Sequence, residues 1–317
     1  MVPDSEDPTS IPSAPREGLE SGAGVFCYGE LGIDNLIRVP HLPSPELAAF
    51  PASETYQIGG AAANTAVWLS RWGVRVKLAG NHVGEDELGG LLLDRLSGWP
   101  TLDLRFVEQK SSIVTPFCRV LVTPDGERTF LVYWYPQTPK SPLNPGMLDS
   151  CGYLSLDLYG GEERLQAART ARACNVRTVV GDVVWPDHPV LPLTDIATNS
   201  AAFIRQAFPG ADLRQHARSL QAISRGMVVT TDGPDPIHVI NPDGSEFSVR
   251  PPQVRAVDAT GAGDAFRAGL IFGLLGGWAA EKSVRFGAAA GAFSVQQDGA
   301  ASNPASMEEV EDLAASL

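Results

Sequence analysis

From Val25 onward, short apolar runs alternate with stretches of helical period, and this alternation restricts the chain to an α/β architecture built on a largely parallel sheet. VFCYGEL at 25–31 reads as the first strand. Residues 61–72 follow as a helix, with Ala63, Ala66, Val67 and Ser70 on one face and Gly73 as a stop. A strand at 77–80 comes next, then a helix over 84–100 whose first turn is acidic, where negative charge suits the helix dipole. After an interruption the pattern resumes: strand 153–160, helix 161–174, strand 177–183, helix around 199–207, strand near 226–231 and a hairpin around 241–244.

The interruption is TPFCRVLVTPDGERTFLVYWY at 115–135, two β-rich runs joined by Pro124-Asp125-Gly126, which is a hairpin signal. With the β-prone segments near 33–39 and 54–58, it is expected to form a small separate sheet. The organisation expected is therefore one α/β domain over 24–317 carrying a β-sheet lid at about 33–58 and 113–136. Residues 1–23 are rich in Pro, Ser, Glu and Asp and lack the basic start and apolar centre of a signal peptide, so they read as a disordered tail on a cytoplasmic protein.

A formal charge of −13 repels polyphosphate backbones and anionic lipid surfaces, which sets aside nucleic acid and membrane as main partners. It does not exclude a nucleotide, because a few backbone N–H groups and a metal ion decide the local field at a phosphate. The longest apolar stretch, 268–280, is too short to cross a bilayer. Cys27, Cys118, Cys151 and Cys174 form no CxxC pair, and the five histidines show no metal-binding spacing. Buried free thiols are the expectation.

The most informative segment is Val257-Asp258-Ala259-Thr260-Gly261-Ala262-Gly263-Asp264-Ala265-Phe266, which runs into an apolar helix with Phe266, Leu270, Ile271 and Leu274 at helical spacing. Two glycines around one small residue let successive N–H groups point at one spot, and the helix adds its positive end there. A carboxylate beside such an anion hole has a reason to exist if it accepts a proton from an incoming hydroxyl. Taken alone, the same letters also suit an ordinary loop and helix cap.

The full string resembles the C-terminal signature of the PfkB or ribokinase family, usually close to DTTGAGDxF, with Ala259 in place of a common Thr. Gly59-Gly60-Ala61-Ala62-Ala63-Asn64-Thr65-Ala66 is similar to the family's N-terminal GG-x-x-x-N-x-A element, and Asp34 in GELGIDNLI matches its substrate aspartate. VGEDELGG at 83–90 and TPDGERTF at 123–130 also fit, so the resemblance covers nearly everything from Val25 on.

This resemblance implies a doubly wound, mostly parallel sheet flanked by helices, with a small β-sheet lid. It implies transfer of the γ-phosphoryl of ATP to an alcohol, with Asp264 as base and the N–H groups of Gly261, Ala262 and Gly263 stabilising the transferred group. Asp34, Gly59, Gly60 and Asn64 would bind the hydroxyls of a sugar-like acceptor, with Asp157 on the strand at 153–160 as a further contact. Asn199, Thr230 and Gly233 match the nucleotide side, which Gly261 and Gly263 also face. Asp258, Thr260 and Gly299 match positions that hold a monovalent cation, K⁺, and Asp182 is a candidate for Mg²⁺.

Two positions depart from the family pattern. Its N-x-x-E element appears as Asn199-Ser200-Ala201-Ala202, without the Glu, and Asp232 stands where a nucleotide-loop glycine is usual. An added negative charge near a triphosphate is unfavourable unless it meets a cation. Tyr133, Trp134 and Tyr135 either stack on the acceptor or form lid core, and no cluster of Arg and Lys stands out in the lid beyond Arg119 and Arg128, which favours an unphosphorylated sugar. A nucleoside or sugar acid remains an alternative acceptor, and so does a ligand-binding protein without turnover. A Rossmann oxidoreductase is disfavoured, because the first strand lacks G-x-G-x-x-G. Exposed lid edges motivate a homodimer.

Overall fold

The computed structural model describes residues 23–315 apart from residues 127 and 158, so the expected tail lies, except for Ala23, outside the described residues. The chain starts with β1 (Gly24–Gly29), β2 (Gly32–Arg38), β3 (Ser53–Gly59), α1 (Ala61–Arg71) and β4 (Val76–Gly80). The short β5 (Val83–Gly84), α2 (Glu87–Ser97), β6 (Leu102–Asp103) and β7 (Gln109–Lys110) precede the hairpin of β8 (Phe117–Val122) and β9 (Arg128–Tyr133). Next come β10 (Cys151–Leu156), α3 (Glu162–Ala173), β11 (Arg177–Gly181), β12 (Ile196–Ser200), α4 (Ala201–Ala207), α5 (Leu213–Ser224) and β13 (Met227–Asp232). The hairpin of β14 (Asp235–Ile240) and β15 (Glu246–Val249) and the helices α6 (Ala262–Leu275), α7 (Ala280–Ser294) and α8 (Met307–Ala315) complete it.

Nine strands form the main sheet in the order β15-β14-β13-β12-β11-β10-β1-β4-β6, parallel except for the antiparallel hairpin at one edge. From β1 the chain moves to β4 on one side, and from β10 it moves to β11 on the other. Between β1 and β10 the winding reverses, and at such a switch point the carboxyl ends of adjacent strands open a crevice.

The lid is a second sheet, ordered β3-β2-β8-β9. Its β8 alternates strictly, with Cys118, Val120 and Val122 turned inward onto Leu36 to make a small core of its own. The loop 124–126 turns this hairpin as expected, and Gly126 has the left-handed φ of 83° that a non-glycine residue adopts at a cost.

Under the sheet, α6 and α7 approach closely: a Cβ on Gly269 would stand 2.7 Å from the Gly287 Cα. Trp72 meets Phe272 and Phe286 edge-on at 5.4 and 5.2 Å between ring centres. Burial of one such phenylalanine contributes about 1.5–3 kcal/mol. This packing fixes the axis of α6, and therefore the place where its first turn points.

Two expected elements differ. The helix expected around 199–207 starts at Ala201, because 196–200 pair with β13, and 196–198 also with β11, as a strand. The strand expected over 153–160 ends at Leu156, and Asp157 lies just beyond it.

Candidate active site

The crevice floor is built where β1 and β10 end. Gly29 closes β1 with its Cα against the Asp157 carboxylate, where a Cβ would stand 1.9 Å from Asp157 Oδ2. Asp157 is 2% exposed and accepts from the backbone N–H groups of Glu30 and Tyr159. Expected as a contact for the acceptor, it fastens the ends of two neighbouring strands through these bonds.

Asp34 projects from β2, and the neighbouring β3 makes room for it at Gly59, where a Cβ would lie 2.4 Å from Asp34 Oδ1. Burial, followed by the nearby Asp264 and Asp258, pushes the Asp34 carboxyl up to about 7. Gly60 turns the chain at φ 90° tightly over the Glu30 carbonyl, and α1 then carries Asn64 into the crevice, 3% exposed. Asn64 Nδ2 donates to Asp264 Oδ2 at 3.1 Å, whereas its Oδ1 is buried and has no protein partner. Asp34, Gly59, Gly60, Asn64 and Asp264 are thus brought together.

The anion-hole geometry depends on Gly261, which caps α6 at φ 71°. Its missing side chain leaves Ala300 in contact, since a Cβ there would be 2.2 Å from the Ala300 Cβ. Gly263 is exposed, with open space where a side chain would project, so the first N–H groups of α6 face the crevice. Asp264 belongs to that same first turn, its side chain 13% exposed. Burial raises its carboxyl to about 6, while Arg267 and Asn64 act in the opposite direction.

On the other side of α6, Asn199 at the end of β12 is 1% exposed, and both polar atoms of its side chain lack a partner. Thr230 Oγ1 on the adjacent β13 is also buried and unpartnered. Such atoms are costly unless a ligand satisfies them. Gly233 turns β13 into β14 with φ 55° and no obstruction around it. Asp232 meets the cation it needs: Arg205 donates to both of its oxygens at 2.7 and 2.6 Å.

Ala202 is exposed near the start of α4, so no carboxylate stands at the family's Glu position. Asp182, just after β11, adopts φ 47° and accepts from the Ser200 N–H at 2.8 Å. Asp258 is 1% exposed; one oxygen accepts from the Thr260 N–H and hydroxyl at 2.9 and 2.6 Å, and the other from the Gly299 N–H at 2.9 Å. The three residues expected around a cation therefore do assemble. The positive group facing them is the Arg128 guanidinium, 3.2 Å from Thr260 Oγ1 and 3.9 Å from Asp258 Oδ1.

The lid aromatics divide. Tyr133 stacks on Phe117 at 4.4 Å within the lid, Trp134 is half exposed, and Tyr135 is buried with an unpartnered hydroxyl against Gly32.

Three participants escaped the sequence reading. Glu30 is buried beside Asp157, which, after burial itself, raises its carboxyl well above the usual range. Arg164 and Arg267 are buried beneath the floor, the first donating to the Gly181 carbonyl at 2.8 Å. The sequence places Arg267 three residues after Asp264, a spacing that shares a helix face.

A separate cavity of about 510 Å³ opens at the amino ends of β1, β4 and β10, lined by Arg75, Lys77, Asp103 and Arg105. Among the described residues, none of the unpartnered buried polar atoms belongs to its lining, whereas Asn64, Asn199 and Thr230 carry theirs on the crevice side.

A lidded, doubly wound sheet with a carboxylate at a helical anion site defines a ribokinase-fold protein of the small-molecule kinase type. The fold recurs in the structure of Arabidopsis thaliana ribokinase complexed with ribose and ATP, with TM-score 0.80, 19% identity, and coverage of 92% of this chain and 99% of that one. Among curated proteins, the chain is 29% identical to acarbose 7(IV)-phosphotransferase of Actinoplanes, over 85% of this chain and 91% of that protein. It is 26% identical to ribokinase of Haemophilus influenzae, over 90% and 96%. The sequence model of the pfkB family carbohydrate kinases matches residues 23–306, and the chain belongs to that family. It is a phosphotransferase acting on a hydroxyl group.

Proposed function

We propose that this enzyme transfers the γ-phosphoryl of ATP to a hydroxyl of an unphosphorylated sugar, with Asp264 as the general base. The observation that carries the reading is the Asp264 carboxylate, set in the first turn of α6 next to the open Gly263 and held by Asn64. Asp34 and Asn64 Oδ1 are acceptors for the hydroxyls of the substrate, and Gly59 and Gly60 let its ring approach the backbone. Asp264 takes the proton of the attacking hydroxyl, while the N–H groups of Gly261, Ala262 and Gly263 receive the charge that grows on the transferred phosphoryl. Asn199, Thr230 and Gly233 line the nucleotide's path. Asp157 acts by holding the floor.

Mg²⁺ supplies neutralisation of the β- and γ-phosphates in such reactions. Asp182, one of whose oxygens accepts from the Ser200 N–H, would help to hold that ion, which usually keeps several waters. Asp34 and Asp264 at the acceptor side disfavour an anionic acceptor, so a sugar or nucleoside is preferred over a sugar acid or sugar phosphate. The exposed residues Phe130, Leu131 and Val132 on the edge strand β9 support pairing of two lids in a homodimer. The unpaired thiols support a reducing, cytoplasmic setting.

The absence of a carboxylate at Ala202 favours a second reading, a binding protein without turnover. ADP release with ATP and Mg²⁺ across neutral sugars, sugar phosphates and nucleosides, run on wild type and Asp264→Asn, separates the two. Turnover with one class that disappears in the variant supports the kinase. Ligand-induced stabilisation with silence across the panel supports the binder.

A further inference from the structure

We infer that Arg128 supplies, from the lid, the positive charge that the family resemblance assigns to a monovalent cation behind the anion hole. The side-chain oxygens at this position already have protein donors. Asp258 Oδ1 receives two donors from Thr260, Asp258 Oδ2 receives the Gly299 N–H, and the Thr260 hydroxyl, while donating to Asp258, accepts from Arg128 Nη1 at 3.2 Å. A potassium ion replaces its hydration shell with several oxygen lone pairs, and while Arg128 occupies the Thr260 hydroxyl few side-chain lone pairs are left there. A guanidinium 3.9 Å from the same carboxylate adds repulsion against a second cation. The residues therefore fit an arginine better than a free ion.

The position of this charge has a function. Thr260 directly precedes Gly261, the cap of α6, so a cation held on the Thr260 hydroxyl stands behind the amino end of that helix and adds to its positive dipole. Arg128 belongs to β9 of the lid, and the lid makes two further contacts with the loop that carries Gly299: Arg38 pairs with Asp298, and Gln57 packs against Gly299. The charge and the closed lid are delivered by the same sheet. A free ion would raise the potential at the phosphates whether or not the acceptor is covered; an arginine on the lid ties that increase to closure.

This inference rests on reading the 258–264 loop as a phosphate site, so its test includes a readout that needs no acceptor. ADP affinity is measured by calorimetry, and turnover by ADP release, with potassium present or replaced by N-methylglucamine, for wild type, Arg128→Gln and Arg128→Lys. Wild type is expected to change by less than about twofold on either readout, whereas Arg128→Gln weakens by about tenfold without potassium and regains most of that with it. Arg128→Lys should stay closer to wild type. A wild type whose ADP affinity rises tenfold with potassium, or an Arg128→Gln protein indifferent to it, overturns the inference. If ADP fails to bind any of the three proteins, the phosphate-site reading itself falls.

Discussion

Arg267 Nη1 lies 3.6 Å from Asp264 Oδ1, one turn further along α6, and its guanidinium is only 6% exposed. That guanidinium fits because β11 ends in Gly181, where a Cβ would stand 2.2 Å from Arg267 Nη2. A cation under the floor favours the ionised form of Asp264 although burial works against it, and the acids Glu30, Asp34, Asp157 and Asp182 converge on the same volume.

The first expectation concerns pH. As the proposed base, Asp264 must be an anion to accept a proton, so kcat/KM should fall as pH drops through about 6, the value to which its carboxyl is raised. Removing the cation in Arg267→Met disfavours that anion and should move the acidic limb upward by roughly 1–3 pH units. Arg267→Lys should return part of the shift. Profiles that superimpose for the three proteins would exclude Arg267 from this role.

A second expectation links binding to stability. With its carboxyl raised to about 7, folded Asp34 binds a proton that the unfolded chain releases near pH 4, so its cost to stability grows as pH rises from about 4 and is complete above about 7. Asp34→Asn should therefore raise the melting temperature at pH 8, by an amount reflecting a few kcal/mol, and change it little at pH 4. The same variant should lose acceptor affinity at least tenfold, because the amide offers fewer acceptor sites. Denaturation at the two pH values checks the sign.

Gly261→Ala combines a left-handed φ of 71° with a contact 2.2 Å from the Ala300 Cβ. Several kcal/mol of stability and roughly a hundredfold or more of kcat should disappear together. An active, unshifted Gly261→Ala protein would remove the anion hole from the mechanism.

Asp232 and Arg205 should behave as a pair. Arg205→Gln alone leaves a carboxylate unneutralised near the nucleotide path and should raise the KM for ATP several-fold. Adding Asp232→Gly should restore it, and a double variant worse than Arg205→Gln would place the pair elsewhere in the mechanism.

What the sequence disclosed follows from how local each signal is. The anion loop and the glycine turn at 59–60 are contiguous strings whose chemistry is set by backbone conformation, so Gly261, Asp264 and Asn64 were legible before any fold was known. Arg267, Arg164 and Glu30 were not, because their partners come from other strands: Gly181, Asp157 and Thr198 reach them only through the order of the sheet. The fate of Asp157 was hidden for the same reason, since nothing near 157 announces that the N–H of Glu30 will claim its oxygen. The strand at 196–200 was hidden by IATNS, a short run that alternates too briefly to be distinguished from the helix after it.

Asn64 and Asp264, joined by one hydrogen bond, are 200 residues apart. At ribosomal speeds of about 5–20 residues per second, roughly 10–40 s separates the synthesis of one from that of the other. During that interval the nascent chain carries Asn64 but neither Asp264 nor the 258–264 loop, so the proposed transfer cannot occur. A product terminated in that interval would lack the proposed base, and recovery of activity during refolding would report the docking of the last helices.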